Sequence, residues 1–199
     1  MGFKGRPLTT IHFMQTGYTL NKGEFIYGIG LIEYGFTDRL QVGTDILLTF
    51  IGTYYNVITK INLNESRNMA FSTSLGVIYA GKDDYFIVTP ILSYSRIIST
   101  KLNLHFAGQF RIVSNEIENR SDSIYNFMPY FITGIDFKIS NITKLLSETG
   151  FDIANNGYYI CGGLLFGWEN FRLKLGYGYF HPTPVYMGTY PYGLWFRFR

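Results

Sequence analysis

Hydrophobicity along this chain alternates with a period of two residues. That pattern constrains the fold more than any other feature. In the stretch from Phe171 to Tyr179, Phe171, Leu173, Leu175, Tyr177 and Tyr179 share one side, while Arg172, Lys174, Gly176 and Gly178 share the other. A strand turns successive side chains to opposite faces, so such a stretch has one apolar face and one charged or empty face. Residues 55–63, 69–77 and 102–112 repeat the pattern. Period two outweighs the helical period of 3.6 nearly throughout.

Read this way, the chain divides into strands at 8–20, 24–35, 39–49, 54–63, 69–80, 85–96, 101–113, 126–139, 145–154, 158–168, 171–180 and 190–199. Around 145–154 a single helical turn competes with the strand. Most segments have the ~9–11 residues that a tilted strand needs to cross a bilayer. Two sets of connections alternate. The short polar set comprises Thr37-Asp38, 64–68, 98–100, 140–144 and Glu169-Asn170. The other set comprises Asn21-Lys22-Gly23, 50–53, 81–84, 114–125, 155–157 and 181–189, and contains the two longest linkers. Short turns at one end and longer loops at the other are the habit of outer-membrane barrels, and an even strand count puts both termini at the short-turn end.

Composition agrees with this. Of the 199 residues 19% are aromatic and only 16% charged, against about 25% charged in an average soluble domain. No stretch reaches the ~20 apolar residues of a membrane helix. A barrel reconciles these facts, because an apolar outer face and a polar lumen cancel in the average. The competing reading is a large soluble β-sandwich. The single cysteine, Cys161, excludes an internal disulfide framework. The net charge of +3, carried by scattered residues, gives no case for nucleic acid. Gly28-Ile29-Gly30 lacks both the third glycine and the following helix of a dinucleotide loop. No cofactor or metal site is expected.

The chain closes with "YGLWFRFR", in which Leu194, Phe196 and Phe198 share one face. This ending resembles the terminal strand of bacterial outer-membrane β-barrel proteins, although the last residue is Arg199. "YGFTDRLQVGTDIL" and "TLNKGEFIYGIG" look like the first turn-end hairpin of uncharacterised porin-like members and the strand before it. The resemblance implies an all-β fold: a single closed antiparallel transmembrane barrel of about 12 strands with short periplasmic turns and longer outer loops. It further implies that Leu194, Phe196 and Phe198 form the signal read by the barrel-assembly machinery. Residues 1–199 are expected to form this one domain, with 1–7 a periplasmic segment. The location implied is the bacterial outer membrane, with a signal peptide removed ahead of this numbering.

Placing the apolar face toward lipid turns Asp45, Lys60, His105, Gln109, Arg111, Asp136, Lys138, Glu148, Asp152, Arg172, Lys174 and Arg197 into the lumen. The reverse assignment would cost ~2–4 kcal/mol for each Arg or Lys at mid-membrane. Chemistry is harder to find. No hydroxyl follows His12 or His105 at the two-residue spacing that would share its face, and Thr183, two residues after His181, comes after Pro182 in an expected loop. Adjacent Asp83 and Asp84 point to opposite faces. The leading expectation is therefore no enzyme but a narrow passive diffusion channel for small anionic or neutral solutes. The alternatives are a non-conducting docking barrel in an envelope complex and, third, a lipid-active barrel enzyme. The expected partners are outer-membrane lipid, the assembly machinery and other envelope proteins, with no nucleic acid.

Overall fold

The structure is a computed structural model that describes residues 8–9, 14–28, 31–45, 54–80, 85–113, 127–154, 156–168, 171–181 and 193–198. Among these residues are twelve strands and no helix. They are β1 (Phe25–Gly28), β2 (Leu31–Gly35), β3 (Leu40–Thr44), β4 (Tyr54–Glu65), β5 (Met69–Ala80) and β6 (Tyr85–Ile97). Then come β7 (Leu102–Val113), β8 (Phe127–Lys138), β9 (Thr143–Asp152), β10 (Gly157–Trp168), β11 (Phe171–His181) and β12 (Gly193–Phe198). Each strand pairs antiparallel with its sequence neighbours, and β1 pairs with β12, so the sheet closes on itself and leaves no edge.

Side-chain parity decides which face looks out. On β7 His105, Ala107, Gln109 and Arg111 are buried, while Phe106, Phe110 and Ile112 are exposed. On β10 Tyr159, Cys161 and Leu165 are buried, while Tyr158, Ile160 and Leu164 are exposed. A soluble barrel would reverse this polarity. Here the outside is apolar, and most charged groups of the wall are inside. Aromatic contacts mark both ends of the outer surface. Tyr55, Tyr79 and Phe86 form one row, with centroids 6.4 Å and 4.7 Å apart. Trp168, Phe171 and Phe196 form the other, each step 5.5 Å.

At the short-turn end one device recurs. Phe36, Ile98 and Ile139 donate their N–H to the carbonyls of Leu40, Leu102 and Thr143, and Thr37, Ser99 and Ser140 donate to the same three carbonyls. The hydroxyl of the second residue then caps the turn. Thr37 Oγ1 accepts from Arg39 and Leu40, Ser99 Oγ from Lys101 and Leu102, and Ser140 Oγ from Ile142. A hydroxyl that satisfies turn amides is why Ser and Thr recur at this position. These are the polar hairpins that the sequence repeats.

Three expectations fail at the N-terminus. Residues 8–20 are expected to be a wall strand, and the described ones are not. The described part, 8–9 and 14–20, lies inside the barrel, and the wall begins at Phe25. Residues 24–35 were expected to be one strand and are instead a hairpin, since Gly28 faces Leu31 across β1 and β2. The physical reason lies in Glu24 and Glu33, which are nine residues apart. On one straight strand they would face opposite sides, leaving one carboxylate in lipid. The hairpin turns both inward, and both are buried. Asn21-Lys22-Gly23, expected at the long-loop end, therefore sits at the turn end, where Lys22 N–H donates to Asp38 Oδ1 at 3.0 Å. It forms a turn in which Glu24 N–H donates to the Asn21 carbonyl. Gly23 holds the third position at φ 77°, a conformation that favours glycine. The segment expected at 145–154 belongs to β9 as far as Asp152, strand rather than helical turn, and 153–154 form a turn. The expected loops at 50–53, 81–84 and 114–125 lie outside the described residues, as do 182–189 of the loop expected at 181–189, residues 46–49, 126 and 190–192 of the expected strands, the turn Glu169-Asn170, and residues 1–7 and 10–13.

Candidate functional site

The candidate site is the polar interior. Lys60, His105, Gln109, Arg111, Asp136, Glu148, Arg172 and Lys174 are all buried on the inner face. Asp45, Lys138 and Asp152 are half-buried at strand ends, in the same parity as Gln41, Asp136 and Glu148. Arg197 aligns with Ile26 on β1, but its side chain lies outside the described residues. The same holds for the side chains of Leu194 and Phe198, whose backbones pair with Leu173 and Phe25. Phe196 is exposed on the outer face.

The interior groups form named clusters. Asp136 on β8 receives Lys144 Nζ at 2.6 Å, His105 Nε2 at 3.0 Å and Asn103 Nδ2 at 2.9 Å. The other ring nitrogen of His105 lies 2.7 Å from Ser95 Oγ. The tautomer follows from the neighbours. Asp136, paired with Lys144, needs a donor from Nε2, and Ser95 Oγ already accepts Gly17 N–H at 2.7 Å. The serine hydroxyl is therefore the donor to Nδ1. On the adjacent strand β9, Glu148 accepts from the Tyr159 hydroxyl and from Met14 N–H, the latter at 3.1 Å. At the turn end Arg172 Nη1 donates to the carbonyls of Trp168 and Phe171 at 2.6 Å and 2.8 Å. Ser74 and Ser93 present hydroxyls that bond to no described protein atom. Such a wall suits a hydrated path better than a dry core.

Four features escaped the sequence reading. Lys144 was placed in a turn, yet β9 starts at Thr143, so Lys144 shares the inward parity of Leu146 and Glu148. The partner of His105 is not on its own strand. Ser95 faces it directly across β6 and β7, so a search along one strand could not find it. Third, not every inward residue is polar. Ile91, Ala107, Ile132, Tyr159 and Cys161 form a buried apolar collar along β6, β7, β8 and β10 of the inner wall. The last is what fills that collar, Met14.

Met14 belongs to the internal segment, and its neighbours bond the wall through main-chain atoms. Leu20 N–H donates to Gln41 Oε1 at 3.0 Å. The Gly17 carbonyl accepts Asn62 Nδ2 at 3.2 Å, and the Thr16 carbonyl accepts Ser72 Oγ at 3.2 Å. Farther along, Lys60 Nζ reaches the Thr9 carbonyl at 3.0 Å and Gln15 Oε1 at 3.3 Å. A β-carbon on Gly17 would stand 2.2 Å from the Ala70 carbonyl oxygen, so only glycine lets the segment lie this close to the wall.

No protein-family model and no curated protein sequence matches the chain. Solved structures do. A KdgM porin in complex with disordered oligogalacturonate is similar over 87% of this chain and 92% of its own, at 9% identity and a TM-score of 0.58. A second KdgM porin structure gives 87%, 94%, 8% and 0.58. The NanC porin, in a rhombohedral crystal form, gives 88%, 94%, 11% and 0.54. At such identities the likeness is one of fold, and the fold shared is the antiparallel porin barrel.

Proposed function

We propose that this chain is a bacterial outer-membrane channel, a narrow passive route for small anionic or neutral solutes. The observation that carries the reading is the polarity of the closed sheet, apolar outside and charged within. Among the described buried residues of the wall, Lys60, Arg111, Lys144, Arg172 and Lys174 stand against Glu24, Glu33, Asp136 and Glu148, a slight excess of positive charge. Charges that line a confined aqueous path favour ions of opposite sign, and low-dielectric walls focus their field. Oligogalacturonate, named with one KdgM porin, is a carboxylate-bearing oligomer, and a solute of that class suits this excess. Outer-membrane lipid would contact the exposed rings, and the assembly machinery would read Leu194, Phe196 and Phe198. Reconstitution into planar bilayers tests the reading. The expected result is a reversal potential showing weak anion preference, reduced at high salt by screening. Changing Arg172, Lys174 and Arg197 together to Gln should abolish the preference. Cation preference in the unmodified protein, or an unchanged triple variant, would contradict the charge assignment. Absence of any conductance, in this protein and in a variant lacking residues 1–20 alike, would favour the docking-subunit alternative.

One observation favours a second reading. Ser95, His105 and Asp136 stand in the order of a hydrolytic relay, with steps of 2.7 Å and 3.0 Å. Against it, Ser95 Oγ is bonded to Gly17 N–H and faces the lumen rather than lipid. Labelling by a fluorophosphonate that is lost in Ser95→Ala would support the enzyme, and no labelling at Ser95 would remove it.

A further inference from the structure

The inner wall is complementary to an extended polypeptide main chain. Side chains from five strands reach the segment's backbone. Gln41 on β3, Ser95 on β6 and Glu148 on β9 accept N–H groups. Asn62 on β4 and Ser72 on β5 donate to carbonyls, as does Lys60 on β4. Strands β3 to β6 are neighbours, and β9 lies beyond them, so the segment runs along β3–β6 and crosses to β9 at its Met14 end. At its inner end Met14 is fully buried in the collar of Ile91, Ala107, Ile132, Tyr159 and Cys161. An apolar constriction is where a channel is most easily closed, because a small apolar group there expels water.

We infer that residues 14–20 are a plug received by this wall, and that the channel conducts only when the segment leaves it. The inference rests on the channel reading above. Three observations make the segment a separable occupant. The barrel closes through β1 and β12 without it. Apart from the packing of Met14, its described hydrogen bonds to the wall are scattered single bonds that use side chains, not a strand ladder, and water can replace such bonds. The turn at Asn21–Glu24, closed by Glu24 N–H on the Asn21 carbonyl, joins it to β1 at the mouth. Rotation about that turn would carry the segment out of the lumen and leave the wall intact.

The full-length protein in planar bilayers tests this. In Met14→Cys the new thiol lies in the same buried cluster as the native Cys161. Oxidation should hold the channel shut and reduction should restore its basal openings, while Met14→Cys in a Cys161→Ser background should ignore both treatments. A second variant lacks residues 1–20 and keeps all twelve strands. Its mean conductance should rise about tenfold or more, as expected when a dominant closed state is removed. Equal conductance with and without the segment would overturn the plug and leave the channel reading standing. So would a Met14→Cys protein that forms the disulfide and conducts as before. A deletion variant that assembles, as judged by heat-modifiable migration, but passes no current would overturn the plug and the channel reading together.

Discussion

At Gly150 a β-carbon would stand 2.0 Å from the Tyr159 ring. The two residues are cross-strand partners, and the absent side chain makes the space in which the ring lies over β9 and donates to Glu148. Gly150→Val should therefore displace the ring and destabilise the barrel by about 1–3 kcal/mol, the usual range for overpacking, measured as a lower urea midpoint in detergent. Gly17 works differently. Its clash would be with the fixed Ala70 carbonyl, so Gly17→Ala should loosen the segment and leave the wall intact. The expected readout is faster labelling of Cys161 by a water-soluble maleimide at an unchanged urea midpoint. Asp136 holds Lys144 and His105 together. Asp136→Ala would leave a buried ammonium without that carboxylate, at a cost of about 3 kcal/mol, and should show as a lower temperature for the heat-modifiable gel shift. The sequence marks Asp136 and His105 as inward through parity alone, whereas Lys144 falls in an expected turn. It cannot show which pairs meet, because a cross-strand contact such as Ser95 with His105 depends on register, and register depends on turn geometry.

The elements themselves were largely legible. From β4 to β11 the alternation places each strand within a few residues, because one face must meet lipid and a one-residue slip would turn every charge outward. The recurring hydroxyl turns help fix that register. Replacing Thr37, Ser99 and Ser140 with Ala should each weaken assembly slightly, by about 1 kcal/mol per turn, seen as slower refolding into detergent with the final fold unchanged. Legibility fails where the wall begins. "EFIYGIGLIEYG" alternates well enough to pass for a single strand, and the useful cue is the odd spacing of Glu24 and Glu33. Gly28-Ile29-Gly30 then reads as the approach to a tight hairpin, a common use of glycine between short strands. Residues 8–20 also alternate, yet both faces of the described part are buried, Met14, Thr16, Tyr18 and Leu20 as well as Gln15 and Thr19. A segment enclosed on every side carries no parity signal that separates it from a wall strand.

At the scale of the whole molecule the account joins two claims: a barrel greasy outside and charged inside, and an N-terminal segment held within it. The first predicts that the protein needs detergent, because Val57, Ile61, Phe106, Phe110, Leu175 and Tyr177 are exposed. Circular dichroism should show mainly strand, and a compact monodisperse monomer without detergent would refute the membrane barrel. Assembly should fail when Phe196 and Phe198 are both changed to Ser, since β12 closes the sheet against β1. Where the chain closes also separates wall from lumen at the N-terminus. Phe25 and Phe198 are backbone partners across the seam, whereas Thr16 lies in the lumen with its carbonyl on Ser72. In a Cys161→Ser background, Phe25→Cys with Phe198→Cys and Thr16→Cys with Phe198→Cys can be oxidised in the assembled protein and their cross-link yields compared by mass spectrometry. The account predicts efficient cross-linking of 25 with 198 and little or none of 16 with 198. The opposite ranking would put the N-terminal segment in the wall and contradict both the closure at Phe25 and the filled lumen.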